Sequence, residues 1–377
     1  MAEHTTETIR DALNANTDSL AFMGRIGDAS MVQEQTMHQV FKVTGEAGNF
    51  YAKLGKPQEK DHGAREMMLE AQWYNRIRDS FGIQGAPSAV YAVLPGDTHV
   101  MAVQEVRGRT YDKILRDAAA LNNDMSALFV LIAASAKVSA KGYEMHLRDK
   151  EGTPAFFGEF DDGECKFLNG RTLKILRASL SPDAAALTGS LEKALDFIRP
   201  AVTAEEIRSF YRDAIPLNWI CSEQAGLPVP IDLGSTSYRP VQFELVALLE
   251  TPKCGLDGLT EQQRDDIVES RYAFGAPDKS LENFRAVFAM ASYLKNWSGV
   301  ASRIQHIKTN MEKIQAGTDA EMHRKRLADN IEGRDFHIKR ALAANRKLSA
   351  ALRGSGLASD FTATEAFLEG LAQGKYL

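Results

Sequence analysis

The fold of this chain is decided by two short stretches, Tyr211-Arg212-Asp213-Ala214-Ile215-Pro216-Leu217-Asn218-Trp219 and Ile231-Asp232-Leu233-Gly234. Asp213 and Asn218 are five residues apart, and Asp232 follows the asparagine after fourteen residues. The first stretch is predicted to leave a helix and to enter a strand, and a turn rich in Gly and Pro separates it from the second. Because a short hairpin can bring the two stretches together, we expect two carboxylates and one amide to converge.

These three side chains have the chemistry that phosphoryl transfer from a nucleotide requires. Asp213 would orient the attacking hydroxyl group, while Asn218 and Asp232 would hold magnesium on the phosphates. Loop caps and turns would explain each residue singly. They do not explain the joint spacing, which therefore favours a nucleotide-dependent transferase.

Both stretches resemble motifs of the aminoglycoside phosphotransferase family, which consists of small-molecule kinases with a protein-kinase-like fold. The family's catalytic loop reads H-G-D-x-x-P-x-N, and its Asp, Pro and Asn coincide with Asp213, Pro216 and Asn218. The second stretch is similar to the family's magnesium motif, I-D-x-G. Departures from the family residues His, Gly, Phe and Asp leave the subfamily open; they occur at Tyr211, Arg212, Leu233 and Glu244.

The resemblance, which covers about residues 20–300, implies an α+β, bilobal protein-kinase-like fold. A small N-lobe, residues 1–106, would bind the nucleotide and contain an antiparallel five-stranded sheet and one helix. A larger, mostly helical C-lobe, residues 107–377, would carry the catalytic loop, the magnesium site, a substrate insert and a helical tail.

Alternating apolar residues and turn signals predict the secondary structure of the N-terminal part. The loop at residues 27–30 has two interpretations, an ordinary hairpin loop or a cover over the phosphates of a nucleotide. It follows a first strand near residues 20–26. A helix is expected over residues 62–78, and the other strands are expected near residues 37–43, 50–54, 89–94 and 99–106.

A lysine in the third predicted strand, Lys53, admits two interpretations. By itself, it is typical of an edge or solvent-facing position. The resemblance implies instead that it binds the nucleotide's phosphates and is held by a glutamate of the following helix. Glu66 and Glu70 are the candidates, since residues four apart share a helix face. Glu70-Ala71-Gln72-Trp73 is similar to the family's pattern, so Glu70 is preferred and Glu66 is kept as the alternative.

The resemblance also implies the nucleotide contacts and the partners. The backbone of Gln104, Glu105 and Val106 would form the hinge that pairs with the adenine edge. ATP and Mg²⁺ would be the cofactors, and a hydroxyl group of a small molecule would be the acceptor. Two alternatives stay open: a protein kinase or other nucleotide transferase on the same fold, and a pseudokinase that binds nucleotide without turnover.

Three features of the C-terminal part carry further predictions. The acidic segment Gly158–Glu164 is interpreted either as a solvated loop or as a site for a cationic substrate. Thr203-Ala204-Glu205-Glu206 has the spacing of a capping box and is predicted to open a helix that runs into the catalytic loop. An apolar stripe at helical spacing is interpreted as core; it comprises Phe284, Val287, Phe288, Ala291 and Leu294.

The composition of the 377 residues is that of a globular protein, with 44% hydrophobic and 25% charged residues. A formal charge of −5 argues against a general nucleic-acid binder. The three cysteines, which lack C-x-x-C spacing, are expected to be reduced thiols. A polar N-terminus without a signal peptide, and apolar runs too short for a membrane span, predict a cytoplasmic protein without a membrane partner. The oligomeric state is not predicted.

Overall fold

The computed structural model describes residues 6–15, 20–34, 38–55, 60–94, 97–120, 125–148, 159–205, 207–211, 213–234, 236–275, 279–317, 319–353 and 356–376. The chain divides into two compact units. The first comprises Met1–Ile114, Ser126–Gly158 and Phe210–Tyr238, and the second comprises Leu115–Met125, Glu159–Ser209 and Arg239–Leu377. The functional division after residue 106 into a nucleotide lobe and a catalytic lobe stays a prediction.

The first unit contains the antiparallel five-stranded sheet that the sequence predicts, in the order β1-β2-β3-β5-β4. Helix α1 (Thr6–Ala15) contributes Ile9 and Leu13 to a hydrophobic cluster, to which β3 contributes Ala52 and Leu54. Because side chains alternate along a strand, Lys53 points to the opposite face from these two residues. The strands are β1 (Ile26–Glu34), β2 (His38–Gly45), β3 (Gly48–Gly55), β4 (Ala89–Leu94) and β5 (Thr98–Gln104).

The prediction for the first strand is wrong, because that strand begins at Ile26 rather than ending there. A 3-10 turn, Ala21–Met23, precedes it. Residues 27–30, which were expected as a loop, lie inside β1 and pair with β2. A register shift after Ile26 interrupts the alternation, and the Asp28 carboxylate accepts a hydrogen bond from the Ala29 amide at 2.9 Å. The nucleotide-covering loop at residues 27–30 is therefore excluded, and the β1–β2 connection at residues 35–37 lies outside the described residues.

Helix α2 (Lys60–Asp79) confirms the predicted helix and packs against β3, β4 and β5. Its Trp73 is fully buried and stacks on the ring of Phe210, with 4.3 Å between ring centroids. Such a pair contributes about 0.5–1.5 kcal/mol beyond the free energy that comes from the area it buries. The contact anchors the helix face that also carries Glu66 and Glu70, because residues three and four positions apart share a face.

The rest of the first unit contains short strands, one whole helix and the start of another, α3 (Tyr111–Ala120), which continues into the second unit at Leu115. Strands β6, β8 and β9 form a three-stranded sheet, whereas β7 and β10 form a two-stranded one. Strand β7 ends and β10 begins within the first unit. These elements are β6 (Gly108–Thr110), α3 (Tyr111–Ala120), α4 (Ser126–Arg148), β7 (Ile207–Tyr211), β8 (Trp219–Ser222), β9 (Pro228–Pro230) and β10 (Thr236–Pro240).

The second unit is mostly helical, as the sequence predicts, and its two longest helices pack against each other. The apolar stripe at helical spacing is buried in the longer of the two, which confirms its interpretation as core. Among the described residues, no helix combines the length and the apolar character needed to cross a membrane. The helices are α5 (Asp162–Ser179), α6 (Pro182–Thr203), α7 (Val241–Leu249), α8 (Glu261–Gly275), α9 (Leu281–Gln315), α10 (Ala320–Ala351) and α11 (Ala358–Ala372).

The capping box predicted at Thr203 is wrong, because Thr203 is the last residue of α6. Its hydroxyl group donates to the carbonyl of Arg199 at 2.9 Å, inside its own helix, and does not cap a new one. A strand, β7, follows and leads into the predicted catalytic loop. The spacing Thr-x-x-Glu also occurs at helix ends, where a threonine hydroxyl can bond back to the preceding turn.

A buried polar network joins three helices of the second unit. Glu250 is 1% exposed and accepts hydrogen bonds from Ser292 at 2.8 Å and from Arg340 at 3.4 Å. Asn296 also donates to Glu250, and its amide oxygen lies 2.8 Å from Nδ1 of His337. Burial lowers the pKa of His337 to about 3, and the charges of Lys295 and Arg303 act in the same direction. His337 is therefore neutral in the folded protein at physiological pH.

This neutral histidine is expected to make stability depend on pH. The folded pKa of about 3 lies below the unfolded value of 6.5, so the unfolded chain binds more protons below pH 6.5. The stability that the neutral His337 contributes is fully present above pH 6.5 and is lost as the pH falls towards 3. Relative to His337→Gln, the wild type should lose about 2 kcal/mol of unfolding free energy between pH 7 and pH 5. Urea unfolding of both proteins measures this loss, and parallel pH profiles would contradict it.

Candidate functional site

The catalytic loop predicted from the sequence is closed by a hydrogen bond between its two key residues. The side-chain nitrogen of Asn218 donates to the backbone carbonyl of Asp213 at 2.9 Å. Pro216 opens the 3-10 turn Pro216–Asn218, where its missing N–H is not needed. An amide binds a cation through its oxygen, so Oδ1 is the atom of Asn218 that a metal would require. Asp213 itself is half-buried.

The second loop is joined to the first one by the backbone. The N–H of Ile231 donates to the carbonyl of Asn218 at 2.8 Å. Asp232 follows with a φ of 57°, a left-handed conformation that Asp adopts more readily than most residues. Its N–H donates to the hydroxyl group of Tyr74 at 2.8 Å, which ties the loop to α2. Backbone geometry of this kind costs about 1–3 kcal/mol and is concentrated at functional sites.

A buried ion cluster lies at the centre of the site. Nζ of Lys53 is 3.0 and 2.8 Å from the two carboxylate oxygens of Glu70 and 2.9 Å from Oδ1 of Asp232. The interpretation of Lys53 as an edge or solvent-facing residue is wrong, because β3 is the middle strand of five and Lys53 is only 9% exposed. Glu70, at 1% exposure, is the glutamate that pairs with Lys53.

The charges of this cluster support one another. Burial lowers the pKa of Lys53, but the carboxylates of Glu70 and Asp232 raise it well above its usual value. The charge of Lys53 in turn lowers the pKa of Asp232. Half of the Asp232 side chain is exposed, so the carboxylate is both ionised and accessible. An ionised, accessible carboxylate next to a lysine is the arrangement that a magnesium–phosphate group needs.

Glu66, the alternative partner for Lys53, occupies another place in the same cluster. It is 7% exposed, and its Oε2 has no hydrogen-bond partner among the described residues. Burial raises the pKa of Glu66 to about 7; the charge of Lys53 opposes this shift, and those of Glu70, Asp232 and Asp213 add to it. Glu66 therefore belongs to the site without pairing with the lysine.

The predicted hinge begins at Gln104, the last residue of β5, and several of its groups already make hydrogen bonds. The N–H groups of Gln104 and Glu105 donate to Ser88 and Asn49, each at 2.9 Å. The Glu105 carboxylate accepts from Lys42 at 2.7 Å and from the Asn49 side chain at 2.8 Å. The side chain of Glu105 therefore has a structural task. Among the predicted hinge residues, Val106 takes part in none of these bonds and stays the candidate for a backbone contact with adenine.

Two residues of the site were not predicted from the sequence. Tyr74 is 3% exposed and lies one helical turn after Glu70, so the shared helix face was a signal that could have identified it. His38, also 3% exposed, lies on β2, and its charge lowers the pKa of Asp232. A single histidine in a strand carries no such signal, because only the sheet brings it near the second loop.

The acidic segment before α5 is engaged with cations and with the helix. The Asp161 carboxylate caps α5 by accepting from the N–H of Glu164 at 2.7 Å. Asp162 pairs with Lys166 at 2.7 Å and also with Arg199, while Glu164 lies 3.2 Å from Arg239. The interpretation of this segment as a solvated loop is wrong from Asp162 onward, because α5 begins there. Gly158 lies outside the described residues.

The donor set of the site is suited to a metal that arrives with a nucleotide. Within the described ranges, no three His, Cys, Asp or Glu side chains are grouped so as to hold a metal ion by themselves. Mg²⁺ is usually bound by one or two carboxylates together with substrate phosphates, and it keeps several waters. The accessible Asp232 carboxylate and the Asn218 amide oxygen fit that requirement.

Comparisons with known proteins support the fold. No family model and no curated protein sequence matches this chain. The solved structure of a gentamicin–APH(2'')-IIa complex is similar to it, with a TM-score of 0.53 and 13% identity over 89% of this chain and 99% of that one. The structure of a streptomycin–ATP–APH(2'')-IIa ternary complex is also similar, with a TM-score of 0.51 and 13% identity over 88% of this chain and 97% of that one. The chain therefore has the fold of the aminoglycoside phosphotransferases, as the resemblance of its loops implies.

Proposed function

We propose that the protein is an ATP- and Mg²⁺-dependent phosphotransferase that moves the γ-phosphoryl group to a hydroxyl group of a small molecule. The observation that carries the proposal is the pairing of Lys53 with Asp232, whose loop is bonded to the loop of Asp213 and Asn218 by the 2.8 Å hydrogen bond from the Ile231 N–H to the Asn218 carbonyl. Phosphoryl transfer in kinases uses a lysine that binds the phosphates, together with a carboxylate and an amide that hold the metal.

The nucleotide would be bound by residues of the first unit. Lys53, held in place by Glu70, would neutralise charge on the α and β phosphates, while the hinge at residues 104–106 would contact adenine. Asp232 and Asn218 would hold Mg²⁺, which supplies positive charge to the phosphates when it is bound. Because Lys53 bridges Glu70 and Asp232, the two charged groups that face the phosphates are already oriented.

Asp213 would orient the acceptor hydroxyl group and take its proton. Its backbone carbonyl is held by Asn218, so the position of the carboxylate is set by the loop. The chemistry needs no covalent intermediate on the protein. Most of the rate enhancement would therefore come from positioning the acceptor and from electrostatic stabilisation of the phosphoryl group.

The acceptor is proposed only as a class, a small molecule with a hydroxyl group. The similar structures contain gentamicin or streptomycin bound to APH(2'')-IIa. In this chain, however, the carboxylates of Asp162 and Glu164 are paired with arginines. Because these arginines offset the negative charges, the acidic segment gives no support to a cationic acceptor. Sugars, amino alcohols and nucleosides should therefore be tested together with aminoglycosides.

The proposal is tested by ADP release from Mg²⁺ and ATP in the presence of a metabolite and antibiotic panel, with GTP as the alternative donor. At least one hydroxyl compound should stimulate release, and the purified product should carry the phosphate. γ-Labelled ATP added to a lysate separates the alternatives: label on protein would favour a protein kinase. Nucleotide binding without any transfer would favour a pseudokinase.

Asp232→Ala is expected to weaken nucleotide binding through the metal. Loss of the accessible carboxylate should raise the Kd for Mg²⁺–ATP by at least about tenfold, which corresponds to about 1.4 kcal/mol. Calorimetric titration with ATP in Mg²⁺ and in EDTA measures the effect, and the EDTA titration controls for the lost contact with Lys53. An equal gain in affinity from Mg²⁺ in the variant and the wild type would contradict this role.

A further inference from the structure

One carboxylate oxygen of Glu66 is buried without the partner that such an atom requires. Glu66 is 7% exposed, and Oε2 lacks a hydrogen bond to any described residue. Burying an ionised carboxylate without compensation is costly, so buried charges in proteins are paired or bind metals. The usual partner in this cluster, Lys53, is already engaged by Glu70 and Asp232.

The backbone of the second loop holds Glu66 in this position. A Cβ atom on Gly234 would lie 2.7 Å from Cγ of Glu66 and 2.8 Å from its Oε1. The glutamate therefore packs directly against the loop, two residues after Asp232. A glycine at residue 234 leaves room for this side chain, and alanine would displace it.

The cluster as a whole has more negative than positive charge. Lys53 and the carboxyl groups of Glu70, Asp213 and Asp232 are all close enough to affect the pKa of Glu66, so one lysine lies among four carboxyl groups. A cation of charge +2 would offset part of this excess, and it would give the unpartnered oxygen a ligand. Oxygen ligands from carboxylates are the ones that Mg²⁺ and Mn²⁺ prefer.

We propose that Glu66 is a ligand of a divalent cation in this site, together with Asp232. The proposal rests on the proposed function, since it extends the metal set of Asn218 and Asp232 by a residue of α2. It also gives the two glutamates of α2 different tasks. Glu70 holds Lys53, whereas Glu66 holds the metal.

A packing role for Glu66 would make a different prediction. If the side chain only fills space, glutamine of the same shape would replace it without consequence for metal binding. If Glu66 instead served as a second partner of Lys53, its loss would weaken nucleotide binding with and without metal. Only a role as metal ligand predicts a loss of affinity that is confined to the metal-dependent part of nucleotide binding.

The test uses Mn²⁺ and a non-hydrolysable ATP analogue with the full-length protein, and free Mn²⁺ is measured by electron paramagnetic resonance. Glu66→Gln should raise the Kd for Mn²⁺ in the presence of the analogue by at least about tenfold. The Kd of the analogue in EDTA should not change. Asp79→Asn is the matched control, because this carboxylate lies on the same helix, is 59% exposed and pairs with Arg78.

Gly234→Ala provides an independent variant that keeps every carboxylate of the cluster. It should displace Glu66 and weaken Mn²⁺ binding as Glu66→Gln does, and the double variant should be no weaker than the single ones. Wild-type affinity for Mn²⁺ in Glu66→Gln, or additive losses in the double variant, would overturn the proposal. A wild type that binds no metal–nucleotide complex would instead overturn the proposed function.

Discussion

Asp213→Asn is expected to reduce phosphoryl transfer about 10²- to 10⁴-fold while nucleotide binding stays near that of the wild type. A general base contributes a factor of this size, because it removes the acceptor's proton as the phosphoryl group is transferred. Asparagine has nearly the same shape and cannot take a proton. ADP release with the best acceptor of the panel measures the rate, and calorimetry with Mg²⁺–ATP measures binding.

The structure makes this substitution a clean test. Asn218 bonds to the backbone carbonyl of Asp213 and not to its carboxylate, so that hydrogen bond survives in the variant. Thermal unfolding of both proteins provides the control for folding. Transfer rates that are equal in the variant and the wild type would remove Asp213 from the reaction, and loss of nucleotide binding would give it a different role.

Glu70→Gln is expected to lower the free energy of unfolding by about 3 kcal/mol, the low end of the cost of breaking a buried ion pair. Lys53 would remain buried with the half-exposed Asp232 carboxylate as its ionised partner. Urea unfolding without nucleotide or metal measures the change. Nucleotide affinity should fall too, since Lys53 would lose the contact that orients it.

Glu66→Gln is the matched comparison for this prediction. Both glutamates are buried on one face of α2, but only Glu70 pairs with the lysine. Removing an unpartnered carboxylate should leave stability unchanged or raise it in the metal-free protein. Equal losses for the two variants would show that the pairing seen in the structure does not determine stability.

The elements that could be predicted are those whose signals are local. The strands β2 to β5, the helix α2 and the apolar stripe of α9 all follow from periodicity and turn residues, and the structure confirms them. The first strand was missed because a register shift after Ile26 hides the alternation. The helix predicted from Thr203 was wrong because the hydroxyl of Thr203 bonds inside the preceding helix.

By itself, the sequence predicted that Asp213, Asn218 and Asp232 come together, since they lie on two loops close together in the chain, and the structure joins these loops by a backbone hydrogen bond. Only the tertiary structure decided which glutamate binds Lys53. Glu66 and Glu70 share a helix face, so periodicity does not distinguish them, and only the resemblance of residues 70–73 to the family's pattern favoured Glu70. The choice depends on where β3 and the second loop lie, and Lys53 meets Asp232 from 179 residues away. Such contacts are set by packing of the whole unit, and a linear pattern does not contain them.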